Sequence, residues 1–78
     1  MSRKKVIFFF GETVLEVANM VPPVDLPIGT ISYNQWADSW YILVSFHAGK
    51  ITGASPIWDP LDTEQVPSTY RTKVLLLT

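Results

Sequence analysis

The stretch VIFFFGETVLEV, residues 6–17, constrains the fold more than any other part of this 78-residue chain. Two runs rich in apolar and β-branched residues flank Gly11-Glu12, which is the Gly-X pattern of a two-residue type II′ hairpin loop. With Phe10 paired to Thr13, the register brings together two further pairs, Phe8 with Leu15 and Val6 with Val17. Apolar residues then share one face and Glu16 lies on the other, so we expect a β-hairpin here.

The same two-residue period returns in the middle of the chain. Ile31 and Tyr33 predict a short strand, and the polar residues 34–39 predict a turn. A long strand then follows with two faces: Trp40, Ile42, Val44, Phe46 and Ala48 on one, and Tyr41, Leu43, Ser45 and His47 on the other. The first face is more apolar and is predicted to point into the core. Ala48-Gly49 suits a tight turn, residues 50–58 suit the returning strand, and Gly53 is a candidate bulge.

Prolines mark the segments that we expect to lie outside a central strand. Residues 21–29 (VPPVDLPIG) contain three of them and predict an extended crossing between two halves of a sheet. Residues 58–65 (WDPLDTEQ) predict a short helical turn, with Asp59 as its N-cap and Pro60 at its first position. Pro67 would end that turn, and residues 69–78 (TYRTKVLLLT) would finish the chain as an interior strand.

These elements predict an all-β fold with one short helical turn near residues 60–65. The expected architecture is a small, bent antiparallel sheet of five or six strands. Such a sheet closes as an SH3-like or OB-like barrel or forms a small sandwich. We expect residues 1–78 to form a single domain, because chains of this length rarely divide into two cores.

Composition excludes several classes of protein. The chain has no cysteine, which rules out a disulfide framework, a thiolate metal site and a thiol nucleophile. The apolar run at residues 6–10 is shorter than the core of a signal peptide, and no stretch approaches a membrane span. We therefore expect a cytoplasmic protein without a membrane partner. A net charge of −1 makes nucleic acid an unfavoured partner, because non-specific affinity rests on phosphate neutralisation.

The candidate catalytic groups do not form a constellation. His47 is the single histidine, and on a strand Ser45 would lie about 7 Å from it, too far for a nucleophile and base to share a hydrogen bond. Asp59, Asp62 and Glu64 lack the spacing of a calcium loop and suit the first turn of a helix. We therefore expect no enzyme, no catalytic residue, no cofactor and no metal.

Ten aromatic side chains are more than a domain of this size can bury, so we expect exposed ones among Phe9, Trp36, Tyr41 and Trp58. Exposed tyrosine and tryptophan are typical of protein interfaces. The predicted partner-binding residues are Tyr41, Leu43, Ser45, His47, Trp36 and Trp58.

The leading hypothesis is a non-enzymatic protein-interaction module. It would act as an inhibitor or accessory factor, or as a small subunit of an assembly, with another protein or a second copy as its partner. We also consider a viral or phage origin, solely because small proteins without recognisable motifs are often encoded by viruses and phages. One alternative is a small β-barrel that binds nucleic acid. A second is a small-ligand domain with a pocket formed by Trp36, Trp40 and Trp58.

Overall fold

A computed structural model of the chain describes residues 4–18, 26–49 and 53–77. It contains five strands, a short 3₁₀ helix and one α-helix. In chain order these are β1 (Val6–Phe10), β2 (Thr13–Val17), β3 (Ile31–Asn34), β4 (Ser39–Gly49), β5 (Gly53–Leu61), the 3₁₀ helix Thr63–Gln65 and α1 (Ser68–Leu77). The strands form one antiparallel sheet in the order β2-β1-β3-β4-β5. The predicted small antiparallel sheet is confirmed with five strands, but it stays open and does not close into a barrel.

The β1–β2 hairpin has the register predicted from the sequence. Phe10 pairs with Thr13, and the pairing continues to Val6 and Val17. Gly11 adopts φ +60°, and Glu12 is not among the described residues with positive φ, which is the pattern of a type II′ turn. The sequence signal was sufficient here because the hairpin is local and both its turn chemistry and its apolar pattern select one register.

The turn between β3 and β4 is held by a side chain. The Oδ1 atom of Asn34 accepts hydrogen bonds from the backbone N–H groups of Trp36 at 2.8 Å and Ala37 at 3.3 Å. Asp38 adopts φ +51°, a left-handed conformation that aspartate tolerates better than most residues. This Asx turn closes the hairpin at residues 35–38, as the polar segment predicted.

A β-bulge at Val44 reverses the alternation along β4. Leu43 pairs with Trp58, whereas Ser45 pairs with Ile57, so one extra residue lies between the two pairs. Directly paired residues share a face of a sheet and successive residues alternate. Trp58 and Ile57 are successive residues, so Leu43 and Ser45 lie on opposite faces.

The predicted faces of the long strand are therefore partly wrong. Trp40 is buried as expected, but Leu43 is 1% exposed instead of facing outward. Val44 and Phe46, which were predicted to be core residues, are 38% and 37% exposed. Ser45, Phe46, His47 and Ala48 all lie on the face opposite to the predicted one, because the two-residue period holds only on each side of the bulge.

The β4–β5 hairpin is longer than predicted at one end. Ala48 pairs with Ala54 and Gly49 pairs with Gly53, so Ala48-Gly49 is strand and not the turn. The connection, residues 50–52, lies outside the described residues. Gly53 is regularly paired, so the predicted bulge there is wrong.

At its other end β5 passes through Asp59 and Pro60 to Leu61, so Asp59 is not a helix N-cap. Proline is tolerated in β5 because β5 is an edge strand, and no strand among residues 4–18, 26–49 and 53–77 lies on its outer side. The predicted helical turn is present only as Thr63–Gln65. It follows Asp62, whose N–H donates to Oε1 of Gln65 at 3.4 Å.

The C-terminal segment is a helix, so the predicted interior strand is wrong. The Pro67 carbonyl accepts hydrogen bonds from the N–H groups of Tyr70 at 3.0 Å and Arg71 at 3.3 Å, and its own missing N–H is harmless at a helix start. The residues that pack on the sheet are Val66, Tyr70, Val74 and Leu77. Their spacing of four, four and three is helical.

The proline-rich segment predicted as a crossing, residues 21–29, lies mostly outside the described residues. Its described end contains Gly29, with φ +97°, in a turn that leads into β3. Leu26 is buried. The carbonyl of Pro27 accepts hydrogen bonds from the Thr30 N–H at 3.1 Å and the Thr30 hydroxyl at 2.6 Å. This bonding fixes the direction from which the chain enters the sheet.

Candidate binding cleft

Both faces of the sheet are apolar, because β1 is a continuous run of apolar residues that alternate between two cores. Ile7 and Phe9 point to one face, where Trp40, Val66 and Val74 complete a buried cluster. The helix α1 covers this face, which we call the helix face. Tyr70 stacks on Phe9 with ring centroids 4.5 Å apart, and its hydroxyl donates to the Gly11 carbonyl at 3.2 Å.

The opposite face carries the second buried cluster, and we call it the open face. The buried members are Val6, Phe8, Leu26 and Leu43, with Phe10, Leu15, Val17 and Trp58 packed against them. Among the described residues no helix or strand crosses this face. Leu26, which precedes β3, is its one described cover from outside the sheet.

The open face is concave. Phe8 lies on β1 and Trp58 on β5, three strand intervals apart, which is roughly 14 Å in a flat sheet. Their ring centroids are nevertheless 5.9 Å apart. Ser32, on the strand next to Phe8, is small and buried. The sheet therefore curves so that large side chains on its flanks meet above a small residue at its centre.

Beside this contact the concave surface opens into a cleft of about 320 Å³. Residues from β1, β3, β4 and β5 line it: Val6, Phe8, Ser32, Asn34, Tyr41, Pro56 and Trp58. None of the lining residues that the structure describes carries a charge. The polar ones are Ser32, Asn34 and Tyr41, and the turn uses only the oxygen of the Asn34 carboxamide. Such a surface suits a neutral, apolar group with a small number of hydrogen-bonding atoms.

Apolar surface continues from the cleft along the β4–β5 hairpin. Beyond Leu43, the described part of β4 is paired with β5 alone, so the two strands extend past the rest of the sheet. Phe46 pairs with Pro56, a lining residue, and therefore lies on the same face as the cleft. The half-exposed ring of Phe46 lengthens the apolar surface in the direction of the strands.

The structure brings together two of the six predicted partner-binding residues. Tyr41 and Trp58 both line the cleft. Leu43 is buried beneath it, and Ser45 and His47 lie on the helix side of the sheet because of the bulge.

Trp36, the remaining predicted partner-binding residue, also lies elsewhere. Trp36 is exposed in the turn between β3 and β4 and does not line the cleft. The prediction of a pocket formed by Trp36, Trp40 and Trp58 is wrong, because two of these residues lie on opposite faces of the sheet. Trp40 belongs to the helix-face cluster and Trp58 packs against the open-face cluster. Phe9, expected among the exposed aromatics, is fully buried.

Sequence reasoning did not select the lining residues Val6, Phe8, Ser32, Asn34 and Pro56. The predicted hairpin register already placed Val6 and Phe8 on one face. This shared face was the only information in the sequence that pointed to them as lining residues. Their contact with β5 depends on strand order and sheet curvature, which single-strand periodicity does not carry.

The other candidate chemistry is dispersed. His47 is exposed and pairs with Ser55. Within the described ranges, no group of three or more histidine or acidic side chains comes together to hold a metal ion. In the same ranges no helix is long and apolar enough to span a membrane.

One titratable pair stands out on the helix side. The Tyr33 hydroxyl donates a hydrogen bond to Oδ1 of Asp38, and the Tyr33 ring packs on Trp40 with centroids 4.9 Å apart. Burial raises the pKa of Tyr33 to about 12, and the Asp38 carboxylate adds to the shift by accepting the hydrogen bond and by repelling a phenolate. The pair joins the turn to the strand before it.

The chain matches no family model, and comparisons with curated proteins and with solved structures give no match.

Proposed function

We propose that this protein is a non-enzymatic protein-interaction domain whose binding surface is the open-face cleft. A neutral, apolar side chain of a partner protein would enter the cleft, and neighbouring apolar residues of the partner would contact Phe46 and Pro56. By occupying a partner surface in this way the domain would act as an inhibitor or accessory factor, or as a small subunit of an assembly.

The observation that carries this proposal is the difference between the two apolar faces. The helix face is covered by α1, whereas the open face has an uncharged cleft lined by Phe8, Tyr41 and Trp58. Aromatic side chains in a partly desolvated pocket are the usual anchors of protein interfaces. Surfaces depleted of charge at their centre are also typical of the buried part of an interface.

The test compares two variants that introduce the same charge at different places. Pro56→Lys puts an ammonium group at the cleft, and Ile28→Lys puts one at a residue that is 63% exposed and does not line it. A partner is first identified by affinity capture from the source cells and then purified. Calorimetric titration should show at least about tenfold weaker binding for Pro56→Lys, since burying an unpaired charge is costly. Ile28→Lys should bind like the wild type.

Circular dichroism and thermal melting establish that both variants fold. Equal affinity of the wild type and a folded Pro56→Lys variant would show that the partner binds elsewhere. Equal loss in both variants would show a general charge effect and would also contradict the proposal.

A second candidate function is the binding of a small neutral ligand. The cleft volume of about 320 Å³ lies at the lower end of the range for small-molecule pockets, and its few polar groups among apolar ones fit that class. Native mass spectrometry of protein purified from its source distinguishes the two functions. A constant added mass that is lost in Trp58→Ala favours a ligand, whereas the bare chain mass favours the protein partner.

A further inference from the structure

The two edges of the sheet differ in how well they are protected against another strand. β5, at one edge, contains Pro56 and Pro60, which lack the N–H groups that a neighbouring strand would need. β2, at the other edge, has the sequence TVLEV, without proline, lysine or a bulge. Three of its five residues are β-branched, which favours the extended conformation that a paired strand requires.

The hairpin geometry determines which groups of β2 face outward. In a two-residue hairpin the residues that flank the turn, here Phe10 and Thr13, bond to each other. Inward and outward bonding alternates along a strand. The N–H and C=O groups of Val14 and Glu16 therefore point away from β1, toward an edge that no other described strand occupies.

The charge on this edge is already compensated. Glu16 is the one charged residue of β2. Its carboxylate forms an ion pair with Nζ of Lys5, the residue that directly precedes β1. An inward or edge charge is a common device against strand addition, and here it is neutralised from within the chain. The half-buried side chains of Val14, Leu15 and Val17 would gain further burial from an added strand.

We propose that β2 pairs with β2 of a second copy of this chain, in antiparallel register about a two-fold axis at Leu15. Residues whose backbone groups face outward must pair with each other across the two copies. For Val14 and Glu16 we compare three two-fold registers, centred on Val14, on Leu15 and on Glu16. Centring on Val14 sets Glu16 opposite Glu12 of the second copy, and centring on Glu16 sets two Glu16 residues opposite each other. Centring on Leu15 pairs Val14 with Glu16 and avoids opposed acids.

The Leu15-centred register also has a consistent side-chain arrangement. Val14 and Glu16 exchange both backbone hydrogen bonds with their partners, and the two Leu15 residues form a non-hydrogen-bonded pair with close side chains. Thr13 lies opposite Val17. The two Glu16 side chains are diagonal, and each retains its own Lys5. The dimer has one continuous sheet of ten strands, with the two open faces on the same side. This surface is distinct from the cleft, so the inference stands independently of the proposed function.

Sedimentation equilibrium from about 5 µM to about 500 µM tests the association, since a dimer of this kind follows mass action. The wild type should approach twice the monomer mass. Glu16→Pro removes an outward N–H and should stay monomeric with an unchanged circular dichroism spectrum. Glu16→Thr removes the same carboxylate but keeps the N–H, and it should still dimerise. A wild type that is monomeric throughout, or a dimer that persists in Glu16→Pro, overturns the proposal.

The register has its own test, because the chain has no cysteine of its own. Under oxidation Leu15→Cys should form a covalent dimer, since facing residues at the axis have a Cα separation that a disulfide can span. Thr13→Cys, about 14 Å from its own copy in this register, should not. Equal cross-linking at both positions, or none at Leu15→Cys, overturns the register.

Hydrogen exchange identifies any other occupant of the edge. The amides of Val14 and Glu16 should exchange rapidly in dilute protein and become protected as the dimer forms. Protection that is already complete in the dilute monomer would show that the chain itself covers β2, which overturns the proposal. The cysteine test decides the matter if Glu16→Pro fails to fold.

Discussion

Val44 determines which residues of β4 face the core. Leu43 and Val44 are adjacent apolar residues, yet one is fully buried and the other is more than a third exposed. The bulge separates them, since it inserts Val44 between two regular pairs. Nothing in the local sequence LVS marks a bulge, because it contains neither glycine nor proline. A strict two-residue period therefore assigned the residues beyond Val44 to the wrong faces.

Truncating these two neighbours should have very different effects on stability. We expect Leu43→Ala to lower the free energy of unfolding by about 2–5 kcal/mol, because it leaves a cavity in the open-face cluster. Val44→Ala should change it by less than about 0.5 kcal/mol. Guanidinium denaturation followed by tryptophan fluorescence measures both. A similar loss for the two variants would contradict the bulge.

The Tyr33–Asp38 pair predicts a stability change in strong base. Folding raises the pKa of Tyr33 from 10.0 to about 12, mainly through burial and then through Asp38, so the fold favours the neutral phenol. The stability that this preference contributes is complete below pH 10 and is lost as the pH rises through about 12. Absorbance titration of the phenolates should show one tyrosine that ionises near pH 12.

Asp38→Asn and Tyr33→Phe serve as controls for that titration. Asparagine tolerates the left-handed backbone at position 38, so the turn should persist. Asp38→Asn should lower the pKa of Tyr33 without restoring its ordinary value, because burial is the larger cause. Tyr33→Phe should remove the late titration step. If the late titration step persisted in Tyr33→Phe, it would belong to another tyrosine.

At the scale of elements, the C-terminal helix is the largest departure from the predicted fold. Val66, Tyr70, Val74 and Leu77 contact the sheet, whereas Leu75 and Leu76 are both 76% exposed. The run VLLL is apolar throughout, so it carries no strong period of its own. The helical spacing appears only when the run is read together with Val66 and Tyr70, across Pro67.

The helix predicts a contrast within that apolar run. Val74→Ala should lower the free energy of unfolding by about 2 kcal/mol, since Val74 is buried in the helix-face cluster. Leu76→Ala should be nearly neutral, or slightly stabilising through the higher helix propensity of alanine. Thermal melting of both variants provides the measurement. Comparable destabilisation would fit a strand buried on both faces and would contradict the helix.

At the scale of the whole molecule, one sheet serves two cores. The helix face is filled by α1, and the open face is concave and partly uncovered. Cations do not line the cleft among the residues that the structure describes. Lys5, which directly precedes β1, forms an ion pair with Glu16. In the described part of the chain, the aromatic side chains of the cleft therefore share their surface with no cation that could bind a phosphate.

This charge distribution predicts weak binding of nucleic acid. Labelled single-stranded DNA and RNA should bind with dissociation constants above the micromolar range at about 150 mM salt, because few phosphates can be neutralised. Any residual affinity should depend on Arg3, Lys4 and Lys5, of which Arg3 lies outside the described residues. Fluorescence anisotropy with a variant that lacks residues 1–5 checks this. Submicromolar binding that survives the deletion would favour the nucleic-acid alternative.

The parts of this protein that depend on local interactions could be predicted from the amino-acid sequence. The β1–β2 hairpin, the strand at Ile31–Asn34 and the turn after it follow from turn chemistry and from a two-residue apolar period. In each case the interacting residues are close in the chain, so a short window contains all the information.

Contacts within the folded chain determine the two faces of β4, the helical state of Ser68–Leu77 and the cleft. Each depends on contacts between residues far apart in the chain: Leu43 with Trp58, Phe9 with Tyr70, and Phe8 with Trp58. A bulge changes the register relative to a partner strand, and an apolar run becomes helix or strand according to the surface it covers. The cleft exists because the sheet curves, and curvature belongs to the assembled strands and to no single one of them.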